Sequence, residues 1–410
     1  MKKVLAIVLS LILVLGLAAC GSTSSDENTT ATTQAGTAEG VDYSSIKIGL
    51  ICLHDENSTY DNNFISALKE VQSELGLSDD QVLIKTNIPE DDSCYNAAAE
   101  LAEEGCNVIF ADSFGHESYV LQAAKEFPEV QFCHATGTTA HTENVANFHN
   151  AFASIYEGRY LAGVVAGCKL QAMIDAGDVS ADAVKIGYVG AFPYAEVKSG
   201  YTSFFLGVRS VVENVTMEVV FTNSWFDIAL EREAALKLID NGCVLISQHA
   251  DSEGAPKACE EKGVPNVAYN INTASIAPNT ALVSSRINWA PYYKYAIEAV
   301  ATGSTIDTDW TGSIETGSVE LLEINEAVAA EGTDEKVAEV KAQLEAGTLH
   351  VFDTATFTVG GETLTSYMAD VDTDANYEKD TEAIADGYFH ESKYRSAPYF
   401  DVDIDGITIN

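Results

Sequence analysis

Three side chains with catalytic potential, His249, Asp251 and Ser252, fall within one short stretch, VLISQHADSEGAPKA, residues 244–258. The apolar VLIS reads as a buried strand and the residues after Ser252 as a helix. The cluster therefore sits where a strand gives way to a helix. Its residue types suit a hydrolase triad, a metal site or the lip of a binding cleft. A hydrolase needs nucleophile, base and orienting acid to converge from separate elements, whereas these three share a loop and diverge. No G-x-S-x-G nucleophile elbow occurs in the chain. The chain is therefore not read as an enzyme, and no catalytic residue or cofactor is assigned. Asp251 and Ser252 are able to cap the following helix, which leaves Gln248 or His249 to face a ligand. A neutral imidazole donates from one nitrogen and accepts at the other.

The histidines raise a second chemistry. His54, His116, His134, His149 and His249 all fall near strand ends, and three imidazoles hold zinc if they converge. There is no HExxH and no His-rich loop, and the five come from both halves of the chain, so no metal site is assigned.

The elements that position these residues repeat. Apolar segments IKIGLICL (46–53), VLIKTNI (82–88), CNVIFAD (106–112), VQFCHAT (130–136) and ENVANFHN (143–150) alternate with amphipathic stretches. The long helix IYEGRYLAGVVAGCKLQAMIDAG follows. The pattern then restarts with VKIGYVGA (184–191), MEVVFTNSW (217–225), VLIS, NVAYNIN (266–272) and ALVSSRI (281–287). Short apolar strands alternating with helices predict open parallel sheets covered on both faces, an α/β chain of two doubly wound lobes with a hinged cleft. A helix over 292–301 and the strand GSVELLEIN (317–325) are expected to return to the first lobe. HVFDTATFTVGGETLTSY reads as a hairpin turning at Gly360-Gly361. The expected division places lobe 1 at 43–150 and 288–340, and lobe 2 at 151–287 and 341–410.

Ligands of open α/β sheets collect beyond the carboxyl ends of the strands. The residues expected there are His54, Asp55, Tyr60, Asp112, Phe114 and Phe148 in the first lobe. In the second they are Phe192, Trp225, Phe226, His249, Asp251 and Asn270, with Asn288 and Trp289 at a hinge crossing. Aromatic faces with directional donors and acceptors suit a flat, neutral, heteroatom-rich ligand. Trp225 and one of Phe114, Phe148 or Phe192 are expected to sandwich its ring. The formal charge of −40, from 62 acidic and 22 basic residues, disfavours nucleic acid, anionic lipid and phosphate-rich ligands.

At the N-terminus, Lys2 and Lys3 precede VLAIVLSLILVLGLAAC, a basic region and an apolar run of signal-peptide length. Leu17-Ala18-Ala19-Cys20 resembles a bacterial lipobox, which implies a signal peptide over 1–19 and a diacylglycerol on the Cys20 sulfur. Residues 20–42, rich in Ser, Thr and Gly, form the expected flexible tether. That predicts a lipid-anchored protein on the extracytoplasmic face of the cell membrane. The other seven of the eight cysteines include Cys52, Cys106, Cys133, Cys168, Cys243 and Cys259 in apolar settings, expected as buried free thiols.

Taken together, HDENSTYDNNF, YEGRYLAGVVAG, IGYVGAF, NSWFDIALEREAALKLIDNG, ISQHADSEGAPKACEEKGV, VAYNIN and GYFHESKYRSAPYFDVDIDGI resemble the basic-membrane-protein family of ABC-transporter solute receptors. The resemblance covers nearly all of the mature chain. It implies a type I periplasmic-binding-protein fold with three crossings between lobes, a purine base or nucleoside as ligand, and a membrane permease as partner. It also implies a base stacked between aromatic rings and read by an Asp or Asn in the region of Asp55 to Asn63, Asn62 included. Family members hold ribose hydroxyls with an aspartate and a lysine where this chain has Asn270 and Asn288. The NSWFD, QHADS and YNIN forms resemble a branch associated with free bases such as adenine, so a base is expected ahead of a nucleoside. A sugar, peptide or metal receptor, and a ligand-sensing ectodomain, are the alternatives.

Overall fold

The computed structural model describes residues 40–371 and 378–410. The expected signal peptide, Cys20 and nearly all of the expected tether lie outside the described residues. The first lobe begins with β1 (Ile48–Ile51), α1 (Thr59–Leu75), β2 (Val82–Lys85), α2 (Asp92–Glu103) and β3 (Val108–Ala111). It continues through α3 (Glu117–Glu126), β4 (Gln131–Ala135), α4 (Ala140–Glu143) and β5 (Phe148–Ala153). The chain then crosses into α5 (Ile155–Ala176), β6 (Val184–Gly190), α6 (Ala195–Arg209), β7 (Val215–Phe221) and α7 (Ile228–Asp240). β8 (Ile246–Gln248), α8 (Gly254–Lys262), β9 (Asn266–Tyr269) and β10 (Ala281–Ile287) follow. A second crossing leads to α9 (Ala290–Thr302) and β11 (Asp309–Gly312), and a third to β12 (Val319–Leu321) and α10 (Thr333–Glu345). The tail holds two short ribbons, β13 (Met368–Ala369) with β14 (Thr381–Glu382) and β15 (Ile384–Ala385) with β16 (Tyr388–Phe389), before β17 (Ile407–Ile409).

The first sheet runs β11-β5-β4-β3-β1-β2, with every pairing parallel. The second runs β12-β10-β9-β8-β6-β7-β17, parallel except for β12. All residues of β1 and β3 are buried, as strands covered on both faces require. The crossings lie side by side. Ser154 N donates to Gly312 O at 2.8 Å and Asn288 N to Ser318 O at 2.8 Å. In the second lobe α5 and α6 touch through glycines. A Cβ on Gly163 would stand 2.2 Å from Phe204 O, so only glycine permits that approach.

Three expectations are corrected here. Residues 317–325 do not return to the first sheet: β12 pairs antiparallel with β10, Ile287 opposite Val319, because the third crossing precedes it. The Gly360-Gly361 turn exists, both glycines having positive φ, but only Val359 and Glu362 pair around it. The segment 143–150 becomes a strand only at Phe148. Before it, α4 ends at Asn144 in the left-handed conformation, φ 53°, a helix stop open to asparagine. The tail also reaches the first sheet, where Ser396 N donates to Asp309 Oδ2 at 2.8 Å.

Candidate functional site

The carboxyl ends of both sheets face a narrow cleft that the two lobes nearly close. The first lobe lines it with Leu53, His54, Tyr60, Asp61, Ser113, Phe114 and Thr136, the second with Glu196, Trp225, His249 and Asp251. The lobes touch across it: Thr59 N donates to Asp251 O at 2.8 Å, and the Phe114 and Tyr194 rings stack at 5.4 Å.

The first-lobe wall is set by the start of α1. Ser58 caps the helix, accepting from Asp61 N at 3.3 Å and donating to Asp61 Oδ2 at 2.6 Å. Helical side chains tilt toward the N-terminus, so Asp61 turns back to the end of β1, where His54 N donates to its Oδ1 at 2.7 Å. Burial opposes the charge on Asp61, but hydrogen bonds from His54 and Ser58 overcome it and hold the carboxyl below the usual carboxylate range. Asp112, wholly buried behind the wall, is the reverse. Burial first, and the Asp61 charge second, push its carboxyl well above that range. Tyr60 donates its hydroxyl to Asp112 O at 2.8 Å. Thr136 sits at φ 65°, a left-handed conformation rare for a β-branched residue, which turns the chain after β4 along the cavity.

The second-lobe wall is built on a buried guanidinium. Arg159 of α5, 1 % exposed, donates to Gln248 O at 2.8 Å and to His249 Nδ1 at 3.1 Å. Its guanidinium carbon lies 3.4 Å from the Tyr269 ring centre. Arginine only donates, so His249 Nδ1 accepts and the ring proton is on Nε2, facing Glu196 Oε1 at 3.4 Å. Burial pushes the His249 pKa down, consistent with a neutral ring. Asp227 caps α7, accepting from Ala229 N and Leu230 N. Asp251 N donates to Trp225 O at 2.9 Å, locking the NSWFD loop to the QHADS loop.

Of the fifteen expected site residues, His54, Tyr60, Phe114, Trp225, His249 and Asp251 line the cavity. Phe192 and Phe226 stand close behind: Phe192 packs its edge on Trp225 at 5.0 Å, and Phe226 lies 5.4 Å from His54. The others lie elsewhere. Asp55 accepts from Asn57 N and Asn57 Nδ2 in a local turn, and Asn62 accepts from Ser66 Oγ along α1. Asp112 backs the wall. Phe148 opens β5 rather than ending a strand, so it packs in the first-lobe core against residues of α2 and α3. Trp289 is buried on Phe64 at 4.3 Å. Asn288 accepts from Ala290 N and donates to Glu320 Oε1. Asn270 is buried at φ 71° after β9. Asp251 does not cap α8, whereas Ser252 Oγ accepts from Gly254 N at 3.1 Å. Asp61 falls in the Asp55 to Asn63 region that the family resemblance pointed to, whereas sequence reasoning assigned no ligand role to Leu53, Ser113, Thr136 or Glu196.

His116, His134 and His149 place ring nitrogens on the carbonyls of Ile88, Ser113 and Asp307, so the five histidines do not converge. Cys52, Asp61 and Asp112 offer ligand atoms within 4.8 Å of one another, but Asp61 already accepts at both oxygens. The seven cysteines after Cys20 are free, six of them buried. Among the described residues no helix is long and apolar enough to cross a membrane.

A purine-binding protein of Brucella abortus (strain 2308) is 30 % identical over 310 residues, 75 % of this chain and 83 % of that protein. A Haloferax volcanii protein, named as a glucose-binding protein of an ABC transporter, is 34 % identical over 239 residues, 58 % of this chain and 57 % of the relative. The solved structure of an ABC transporter system solute-binding protein from Aeropyrum pernix K1 superposes with TM-score 0.62 at 14 % identity, covering 75 % of this chain and 93 % of that one. The fold is thus that of the type I solute receptors, two α/β lobes around a cleft. Residues 53–348 match the family described as ABC transporter substrate-binding protein, PnrA-like, and the chain belongs to that family.

Proposed function

We propose that the cleft captures a purine-type ligand, a free base ahead of its nucleoside, for delivery to an ABC permease. The observation that carries this reading is the composition of the cavity wall. Phe114 and Trp225 approach from opposite lobes, and carboxyls and imidazoles surround them with no lysine or arginine in the lining. Flat rings stack on such aromatics, and ring nitrogens and amino groups answer the polar groups. The absence of a lining cation disfavours a phosphorylated ligand. The kinship with a protein named for purine binding supports the same class. The family resemblance implies charged ribose contacts at the positions of Asn270 and Asn288, and their replacement by amides supports base over nucleoside. A glucose-like sugar is the second reading, motivated by the Haloferax relative's name.

Calorimetric titration with adenine, adenosine and glucose tests the assignment. Adenine is expected to bind, and Trp225→Ala to weaken it about ten- to hundredfold, the worth of one stacked base. Adenosine binding about a hundredfold tighter than adenine would overturn the base preference, since lost ribose hydrogen bonds predict the opposite. Binding of glucose alone would overturn the purine class. We also propose that Cys20 carries the lipid that holds the protein at the membrane. Cys20→Ala is expected to move it from the membrane pellet to the soluble fraction, and retention in the pellet would refute the anchor.

A further inference from the structure

Asp251 is fixed in place but unanswered at its side chain. It is 4 % exposed, and its Oδ1 has no hydrogen-bond partner among the described residues. Its backbone is held at both ends, by Trp225 O and by Thr59 N across the cleft. The charges around it are mostly of its own sign: Glu231 of α7, Asp61 of α1 and Glu196 of α6 repel an ionised Asp251, and Arg159 of α5 alone attracts it. The phenols of Tyr60 and Tyr269 also lie within reach of its charge, and the imidazoles of His54 and His249 line the same cavity. A carboxylate buried among three acids and one cation is unfavourable. A neutral carboxylic acid instead offers a hydroxyl donor beside a carbonyl acceptor.

We propose that Asp251 meets the ligand as a neutral carboxylic acid, donating to a ring nitrogen and accepting from an adjacent amino group. The ligand class is an amino-substituted nitrogen heterocycle with donor and acceptor side by side, as on a 6-aminopurine. This inference rests on the purine reading and narrows it. Burial, and then Glu231, push the Asp251 carboxyl well above the usual range, in keeping with the neutral form.

The test compares adenine with its N6,N6-dimethyl derivative on the wild-type chain, Asp251→Asn and Asp251→Ala, each checked for folding by thermal unfolding. An asparagine presents the same donor–acceptor pair without charge. Asp251→Asn is therefore expected to keep adenine affinity within about threefold, and Asp251→Ala to lose about tenfold or more. Dimethyladenine keeps the ring nitrogen but has no amino donor, so Asp251→Ala should weaken it less than it weakens adenine. If Asp251→Asn loses as much as Asp251→Ala while the wild type binds adenine, the neutral-acid inference fails and the purine reading stands. If the folded wild type binds no purine, the purine reading fails and takes this inference with it.

Discussion

In the first lobe the carboxyls of Asp61 and Asp112 lie within 4.8 Å of each other, and their partners are backbone N–H groups, the Ser58 hydroxyl and the His54 imidazole. In the second lobe Glu196 and His249 stand in a chain that ends on the Arg159 guanidinium. Each lobe buries acid beside the cavity, but only the second supplies a permanent cation. Two like charges so close do not both ionise cheaply, so the first-lobe pair divides into an ionised Asp61 and a neutral Asp112. The second lobe draws its cation from α5, the helix that opens directly after the first crossing. One wall of the cleft is thereby tied to the hinge, while the other is drawn from the ends of β1, β3 and β4 within the first lobe. Where the lobes meet, a wall with a fixed charge pattern faces one anchored by Arg159.

Removing that cation is expected to have the larger effect. Arg159→Met keeps the stem and deletes the guanidinium, leaving Gln248 O and His249 Nδ1 without their donor and Tyr269 without its stacked cation. Each buried acceptor left without its donor costs about 1–3 kcal/mol. Urea unfolding at neutral pH measures it. A loss below about 1 kcal/mol, the worth of an exposed ion pair, would mean that Arg159 is not what holds the second wall.

Arg159 was visible in the sequence without being read. IYEGRYLAGVVAG is apolar nearly all round, and a charge inside such a helix must be partnered. The strands β1 and β3 were legible for the same reason in reverse, since the uninterrupted apolar runs IGLI and VIFA have few alternatives. β11 was not, because DWTG is short and has no apolar run; it becomes a strand by pairing with β5. Phe148 was misplaced because a left-handed Asn144 delays the strand by several residues, which composition does not signal. Asp61 lay within the Asp55 to Asn63 region, but no local signal set it apart from its neighbours. Ser58-x-x-Asp61 explains both residues locally, and only the fold reveals that the cap also faces the cavity. The NSWFD and QHADS loops were legible as strand ends, but their mutual hydrogen bond joins residues 225 and 251, and no local pattern encodes it.

The smaller effect separates the two acids of the first lobe. Asp61 has a lowered pKa, so its stabilising contribution is present above its unfolded pKa and lost as pH falls through the folded value. Asp112 has a raised pKa, so its contribution is fully present below its unfolded pKa and is lost as pH rises toward the folded value. At neutral pH the pair is therefore asymmetric. Asp61→Asn replaces two acceptor oxygens with one, leaving His54 N or Ser58 Oγ unanswered, and is expected to cost about 1–3 kcal/mol. Asp112→Asn exchanges a neutral acid for a neutral amide of similar shape that needs no proton uptake on folding, so it is expected to leave stability unchanged or raise it at neutral pH. Urea unfolding of both variants at neutral pH measures the difference. On acidification the wild type loses what Asp61 contributes, so the gap between wild type and Asp61→Asn should shrink, while Asp112→Asn, if anything, gains relative to the wild type as pH rises. Equal losses in the two variants would show that the proton is not lodged on Asp112, and the contrast between a proton-sharing wall and an arginine-anchored wall would not hold.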